Sequence, residues 1–281
     1  MGGAAVGGGI PGASAQSMSV VPEGDLQVSF SYRYSYGDTY FRESEQAESG
    51  LVQYYRVHFL DVYGGYGLTE DLTIDAGLGL FPLKLQQFPD YQIRGTGISH
   101  LDIGARYLLA GGDWDSHEWS VGMYGRIPLE RSSDNLPQHI SPSTGAAALI
   151  ASTRISIDVH QGRHFIVFTQ TGQYQDVNSS SYRYGPSFTT SIGGIWSASE
   201  TIVTRTDVRG EIYLRDSFFG DRLADTGRFT VSLTQSIGIR VGNMIFAPYL
   251  DYPIYQQYNG HQLANDLSAG LNVIWNAISS D

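Results

Sequence analysis

The chain has 281 residues, with 28 Asp and Glu against 17 Lys and Arg, a formal charge of −11, and no cysteine. The acidity argues against nucleic-acid binding, which needs a basic footprint, and the missing thiols exclude a disulfide scaffold, a thiolate metal site and a cysteine nucleophile. Apolar residues make up 41% of the chain, yet no run approaches the eighteen that a membrane-spanning helix requires, so a helical membrane protein is excluded.

Residues 1–24 are rich in Gly, Ala, Ser and Pro and are expected to form a flexible lead-in. Ala13-Ser14-Ala15 has the small-x-small look of a signal-peptidase site, so the segment also reads as the remnant of a signal peptide. From Leu26 onward, strand-like segments of about ten residues alternate with connections. The first, Leu26–Tyr36, puts Leu26, Val28, Phe30, Tyr32, Tyr34 and Tyr36 on one face and Gln27, Ser29, Ser31, Arg33 and Ser35 on the other. An acidic loop over 37–51 follows, carrying Asp38, Glu43, Glu45 and Glu48 and read as solvated rather than cation-binding. The second strand runs through Tyr55, Val57, Phe59 and Tyr63 as its apolar face, with Arg56 and His58 opposite. Leu68-Thr69-Glu70-Asp71 turns the chain into Leu72–Leu80, where Leu, Ile, Ala, Leu and Leu alternate with Thr, Asp, Gly and Gly.

A loop is expected over 82–97, with two prolines. The fourth strand puts Leu101, Ile103, Ala105, Tyr107 and Leu109 outward and His100, Asp102 and Arg106 inward. After a Gly111-Gly112-Asp113 turn, Trp119, Val121, Met123 and Ile127 oppose Glu118, Ser120, Tyr124 and Arg126. A loop over 129–143 leads to Leu149–Val159, whose polar face holds Ser152, Arg154, Ser156 and Asp158. Strands through 165–173 and 188–196 flank a loop at 174–184. The ninth strand carries the most charge, with Arg205, Asp207, Arg209, Glu211 and Arg215 on one face and Ile202, Val208, Ile212 and Leu214 on the other. A loop at 216–227, strands at 229–239 and 244–256, a loop at 257–265 and a last strand through Leu267–Trp275 complete the series; Arg240 falls on the polar side of the tenth strand.

About twelve strands with one apolar and one polar face leave two architectures, a soluble sandwich or barrel and a bilayer-spanning barrel. The even number, the strand length, and short turns at one end against long loops at the other favour an all-β transmembrane antiparallel up-and-down barrel over residues 25–276, followed by a short tail at 277–281. The 34 glycines and 19 tyrosines fit curved sheet and membrane-boundary aromatics.

The Tyr66-Gly67-Leu68-Thr69-Glu70-Asp71-Leu72-Thr73 hairpin resembles one that recurs in bacterial outer-membrane barrels of the MetA-pathway phenol-degradation type and related transporter-like families. The strand-and-loop rhythm extends that resemblance loosely over 25–276. It implies an outer-membrane location with the termini in the periplasm, a setting of outer-membrane lipid and lipopolysaccharide, and passage of small molecules, hydrophobic ones included. It carries no catalytic residues. Barrels of this kind often end on an aromatic residue, whereas here Trp275 is followed by Asn276–Asp281.

The polar faces gather Arg33, Arg56, Asp75, His100, Asp102, Arg106, Arg126, Arg154, Asp158, Arg205, Asp207, Arg209, Glu211 and Arg240 as candidates for lining a lumen. Two readings stand: a pore whose charge pattern selects solutes, or a mutually paired interior that plugs the barrel. The seven histidines show no metal-ligand spacing, and neither a cofactor nor a metal is expected. No G-x-S-x-G elbow occurs. Ser99 and His100 are adjacent strand residues expected to face opposite ways, so no enzyme is expected.

Overall fold

In the computed structural model the described residues are 20–47, 52–111, 117–129, 141, 143–160 and 164–278. The expected lead-in before residue 20, parts of the first and third loops (48–51; 130–140 and 142), two turns (112–116 and 161–163) and the tail after 278 lie outside them. Twelve long strands make the body: β1 (Leu26–Gly37), β2 (Tyr54–Gly67), β3 (Leu72–Gln87), β4 (Gln92–Ala110), β5 (His117–Pro128), β6 (Ala148–Asp158), β7 (His164–Gln175), β8 (Ser187–Ser197), β9 (Ile202–Tyr213), β10 (Arg228–Val241), β11 (Met244–Leu263) and β12 (Leu267–Ile278). Each pairs antiparallel with its neighbours in sequence, and β12 pairs with β1, Tyr34 opposite Ala269, so the sheet closes. This is a twelve-stranded up-and-down barrel, and closure removes the sheet edges that lipid could not satisfy.

The outer face is apolar and uncovered. Ile74, Ile103, Met123, Leu149, Ile192, Val208, Leu233 and Ile237 are all exposed, far more apolar surface than a soluble monomer presents. Aromatics bracket this aliphatic band. Tyr66, Tyr107, Trp119 and Trp196 stand near the short turns, and Tyr174, Phe188, Tyr252 and Tyr255 near the loops. From Phe188 to Trp196 is about 26 Å of strand, or roughly 20 Å of height at a 40° tilt, in the range of a hydrocarbon band. Polar groups on this face find partners. Trp119 Nε1 donates to Thr153 Oγ1 at 2.9 Å, and the Tyr32 hydroxyl lies 2.7 Å from His58 Nδ1.

Four expectations are corrected. The faces of β2 are reversed: Tyr55, Val57, Phe59 and Tyr63 are buried inside, while Arg56 and His58 face outward. Asp61 decides the matter, because it shares the parity of Phe59 and Tyr63, and a mid-strand carboxylate cannot face hydrocarbon. Arg56 sits near the loop end, its guanidinium 4.9 Å from the Tyr54 ring centroid. The segment 82–97 is strand: β3 and β4 run on to Gln87 opposite Gln92 and join through a tight turn stapled by Phe88 stacked on Tyr91 at 4.4 Å. Pro82 is tolerated because it lies in a register shift between Phe81 and Lys84, where no ladder hydrogen bond is required. Likewise 257–263 continues β11, which rises past the barrel and pairs with a hairpin of the first loop, Tyr40–Glu43 and Glu45–Ala47. Arg215, in turn, falls beyond the end of β9.

Candidate functional site

The lumen has two unlike walls. Across β2 to β6 the inward charges close on one another. Arg106 donates from Nε and Nη2 to Asp75, both at 2.8 Å, and Arg126 donates from Nε and Nη2 to Asp102 at 2.8 and 2.9 Å. The Tyr63 hydroxyl donates to the same Asp102, and the Tyr124 hydroxyl to Asp75 at 3.2 Å. The side chains of both pairs are at most 5% exposed. Register explains the fit. Asp102 stands directly opposite Arg126, and Gly77 and Gly104 leave the inner face bare at the neighbouring positions. A Cβ on Gly77 would lie 2.4 Å from the Tyr63 ring, and one on Gly104 2.4 Å from that of Tyr124. The rings lie flat across these gaps, which is how glycine and aromatic pairs fill a curved sheet. Arg154 meets Glu118 at 3.0 Å on the same side. This wall is filled.

Facing it, β7 to β11 carry hydroxyls and more exposed ion pairs. Arg205 pairs with Asp207 at 2.6 Å; Arg209 reaches Asp251 at 2.8 Å and Glu211 at 3.1 Å, and Thr234 donates to Asp251 at 2.5 Å. Here the arginine side chains are 23% exposed. Thr169, Thr189, Ser191, Ser232 and Ser236 line the rest of this wall. Between it and β1–β2 lies a cavity of about 240 Å³, bordered on the far side by Arg33, Tyr55, Val57 and Phe59. The Arg33 guanidinium stands 5.5 Å from the Phe59 ring centroid. The volume is below the roughly 300–1,000 Å³ typical of drug-sized ligand pockets, so a small solute is all it holds. At the loop end Tyr40, Tyr55, Val57, Phe59, Phe81 and Leu263 form a buried apolar cluster that narrows the space.

Of the residues singled out in the sequence, Arg33, Arg205, Asp207, Arg209 and Glu211 border the cavity. Asp75, His100, Asp102, Arg106 and Arg126 are buried within the filled wall. Asp158, inward at the short-turn end, accepts from the His160 N–H at 2.8 Å, and Arg240 is exposed at that same end. Arg56 is on the outer face and takes no part. Asp61, Lys84 and Asp251 are missed in the sequence, whereas Glu118 lies on the polar face expected of it. Asp251 lay on a strand whose faces had not been separated, and Lys84 on a segment read as loop. Lys84 Nζ donates to the Ser141 carbonyl at 2.7 Å, tying the third loop into the barrel over the Phe81 ring.

Ser99 and His100 do meet, against expectation, with Ser99 Oγ 2.8 Å from His100 Nδ1. The register shift that pairs Gly79 with His100 and Leu80 with Ile98 leaves Ser99 as the extra residue of a bulge, so strict alternation fails there. His100 Nε2 is 3.6 Å from Asp102, a carboxylate already held by Arg126. The cavity touches neither Ser99 nor His100.

The loops at 176–186 and 214–227 are locked together above the rim. Asp216 accepts from the Gly185 N–H at 2.7 Å and from the Tyr182 hydroxyl, and its own N–H donates to Thr226 Oγ1 at 3.0 Å. Burial pushes its carboxyl above the ordinary aspartate value even though the Tyr182 and Gly185 hydrogen bonds pull the other way.

No family model matches the chain, and no curated protein sequence matches it. Among solved structures it is similar to an outer membrane channel from Pseudomonas putida F1, with a TM-score of 0.74 and 12% identity over 92% of this chain and 97% of that one. The NanC porin is similar at a TM-score of 0.51 and 10% identity, over 89% and 98% of the two chains. At such identities the likeness is one of fold.

Proposed function

We propose that the chain is a bacterial outer-membrane channel for small solutes, hydrophobic ones included, with its termini and short turns in the periplasm and its loops outside. The observation that carries this is the asymmetric lumen. One wall is sealed by ion pairs at most 5% exposed, while the other keeps arginines 23% exposed, and hydroxyls, against a cavity. A structural plug has no use for an open wall, whereas a passage needs polar groups that replace solute hydration without holding it. Tyr55, Val57 and Phe59 opposite give the cavity an apolar border. The fold of the Pseudomonas channel supports the location, and the Tyr66–Thr73 hairpin supports kinship with the MetA-pathway phenol-degradation type.

The competing reading is a non-conducting barrel, favoured by the apolar cluster at the loop end. As a dewetting constriction that cluster makes opening intermittent rather than absent. Reconstitution in planar bilayers separates the two: brief, small-conductance openings support the channel, and a baseline no different from protein-free lipid supports the plug. Swelling of liposomes in small aromatic solutes but not in oligosaccharides sets the size limit expected of the cavity.

A further inference from the structure

Among the described residues, five arginines are held in ion pairs. Arg106, Arg126, Arg154, Arg205 and Arg209 each lie within 3.0 Å of a carboxylate. Arg183, Arg215 and Arg222 are instead gathered around one pocket. Among the described residues none of the three has a carboxylate within ion-pairing distance, in a chain whose net charge is −11.

Their placement is built. The loops above β8 to β10 form a small three-stranded sheet, Tyr182–Arg183, Ser217–Phe218 and Asp221–Arg222, in which Ser217 stands opposite both Arg183 and Arg222. Residues in register share a face, so two arginines flank one serine hydroxyl, with the carboxylate of Asp221 on the opposite face. Arg215 joins them around a pocket of about 680 Å³ whose lining includes no Asp or Glu. Its apolar lining is Ile212 and Leu214, both exposed, and Phe229, which pairs with Ile212 across β9 and β10. Arg183 itself lies 5.9 Å from the ring of Tyr174, an outward aromatic at the loop end. Phe219, 75% exposed, projects from the turn of the same small sheet.

We infer that this is a site for a phosphorylated glycolipid of the outer leaflet, its phosphate held by Arg183, Arg215, Arg222 and Ser217 and its acyl region resting on Ile212, Leu214 and Phe229. Arginine forks suit phosphate oxygens, and a cationic rim over an apolar outer wall matches an amphiphile rather than a dissolved anion. The inference rests on the outer-membrane reading, adding to it a specific lipid site at the loop-end rim, where Tyr213 and Arg228 also border the lumen cavity.

The test titrates purified protein in uncharged detergent with diphosphorylated lipid A, with the same lipid dephosphorylated, and with inorganic phosphate, counting bound molecules by native mass spectrometry. One lipid A binds, and removing its phosphates weakens binding on the order of 1,000-fold, as expected for three charge-assisted contacts at about tenfold each. R183Q/R215Q/R222Q shows the same loss with lipid A, while R94Q, at the β3–β4 turn, binds as the unaltered protein does. Equal binding of the dephosphorylated lipid overturns the proposal, and this arm needs no variant. Displacement of lipid A by equimolar phosphate overturns the lipid assignment in favour of a soluble anion. The outer-membrane reading fails separately, if the unaltered protein shows no heat-modifiable gel migration and stays soluble without detergent.

Discussion

Removing one member of the Asp102–Arg126 pair tests whether the filled wall is dry. Asp102 is fully buried, accepts two hydrogen bonds from Arg126 and another from Tyr63, and stands 3.6 Å from His100. Asp102→Leu leaves a guanidinium buried without its counterion, which costs about 3–5 kcal/mol. Arg126→Leu leaves the carboxylate with the Tyr63 hydroxyl and costs a similar amount. The double variant removes both charges and fills the space with methyl groups, so its cost falls well below the sum, and the coupling between the two sites is about 3 kcal/mol. Urea unfolding in lipid vesicles, followed by tryptophan fluorescence and gel migration, measures all four species. If each single substitution costs less than about 1 kcal/mol, as exposed pairs do, the wall is wet and the division of the lumen is wrong.

Leu78 faces outward at mid-strand, opposite Val62 and Leu101. Leu78→Arg is expected to cost about 2–4 kcal/mol at the bilayer midplane, and an unchanged folding yield in lipid would place that residue elsewhere. Because the Asp216 carboxyl is held above its ordinary value of 3.8, its protonated form stabilises the loop lock. That contribution is complete below 3.8 and is lost as the pH rises through the raised value. A nitroxide on Ala224→Cys should therefore be less mobile near about pH 4 than near about pH 7, and Asp216→Asn should flatten the difference; mobility that falls as pH rises contradicts the sign. Gly77→Ala drives a methyl into the Tyr63 ring and is expected to destabilise by about 1–3 kcal/mol in the same urea assay, with no loss meaning that the ring is free to move.

Twelve strands, their order and most of their faces were legible because alternation against lipid is strict: Arg205, Asp207, Arg209 and Glu211 can only point inward when Ile212 and Val208 point out. The pattern misled where both faces are apolar. In β2, Val57 and Phe59 line the lumen under the first-loop hairpin, so hydrophobicity no longer distinguished lipid from interior, and Asp61 alone carried the information. β11 runs past its expected end because its extension pairs with the first-loop hairpin. A proline misled in β3, since a barrel strand that rises beyond the membrane accommodates Pro82 at a register shift. The Ser99–His100 contact was illegible for the same reason, since a bulge has no sequence marker here. Which charges pair and which border the cavity depends on cross-strand register, set by closure of the whole barrel rather than by any local segment.

Thiol accessibility tests the central claim, that solute passes along the β7–β11 wall and not the β2–β6 wall, with no background because the chain has no cysteine. Ser236→Cys borders the cavity and Ser120→Cys is buried in the filled wall. A charged, water-soluble thiol reagent added during bilayer recording should reduce the conductance of Ser236→Cys and leave Ser120→Cys untouched. Equal block at both positions, or block at Ser120→Cys alone, contradicts it.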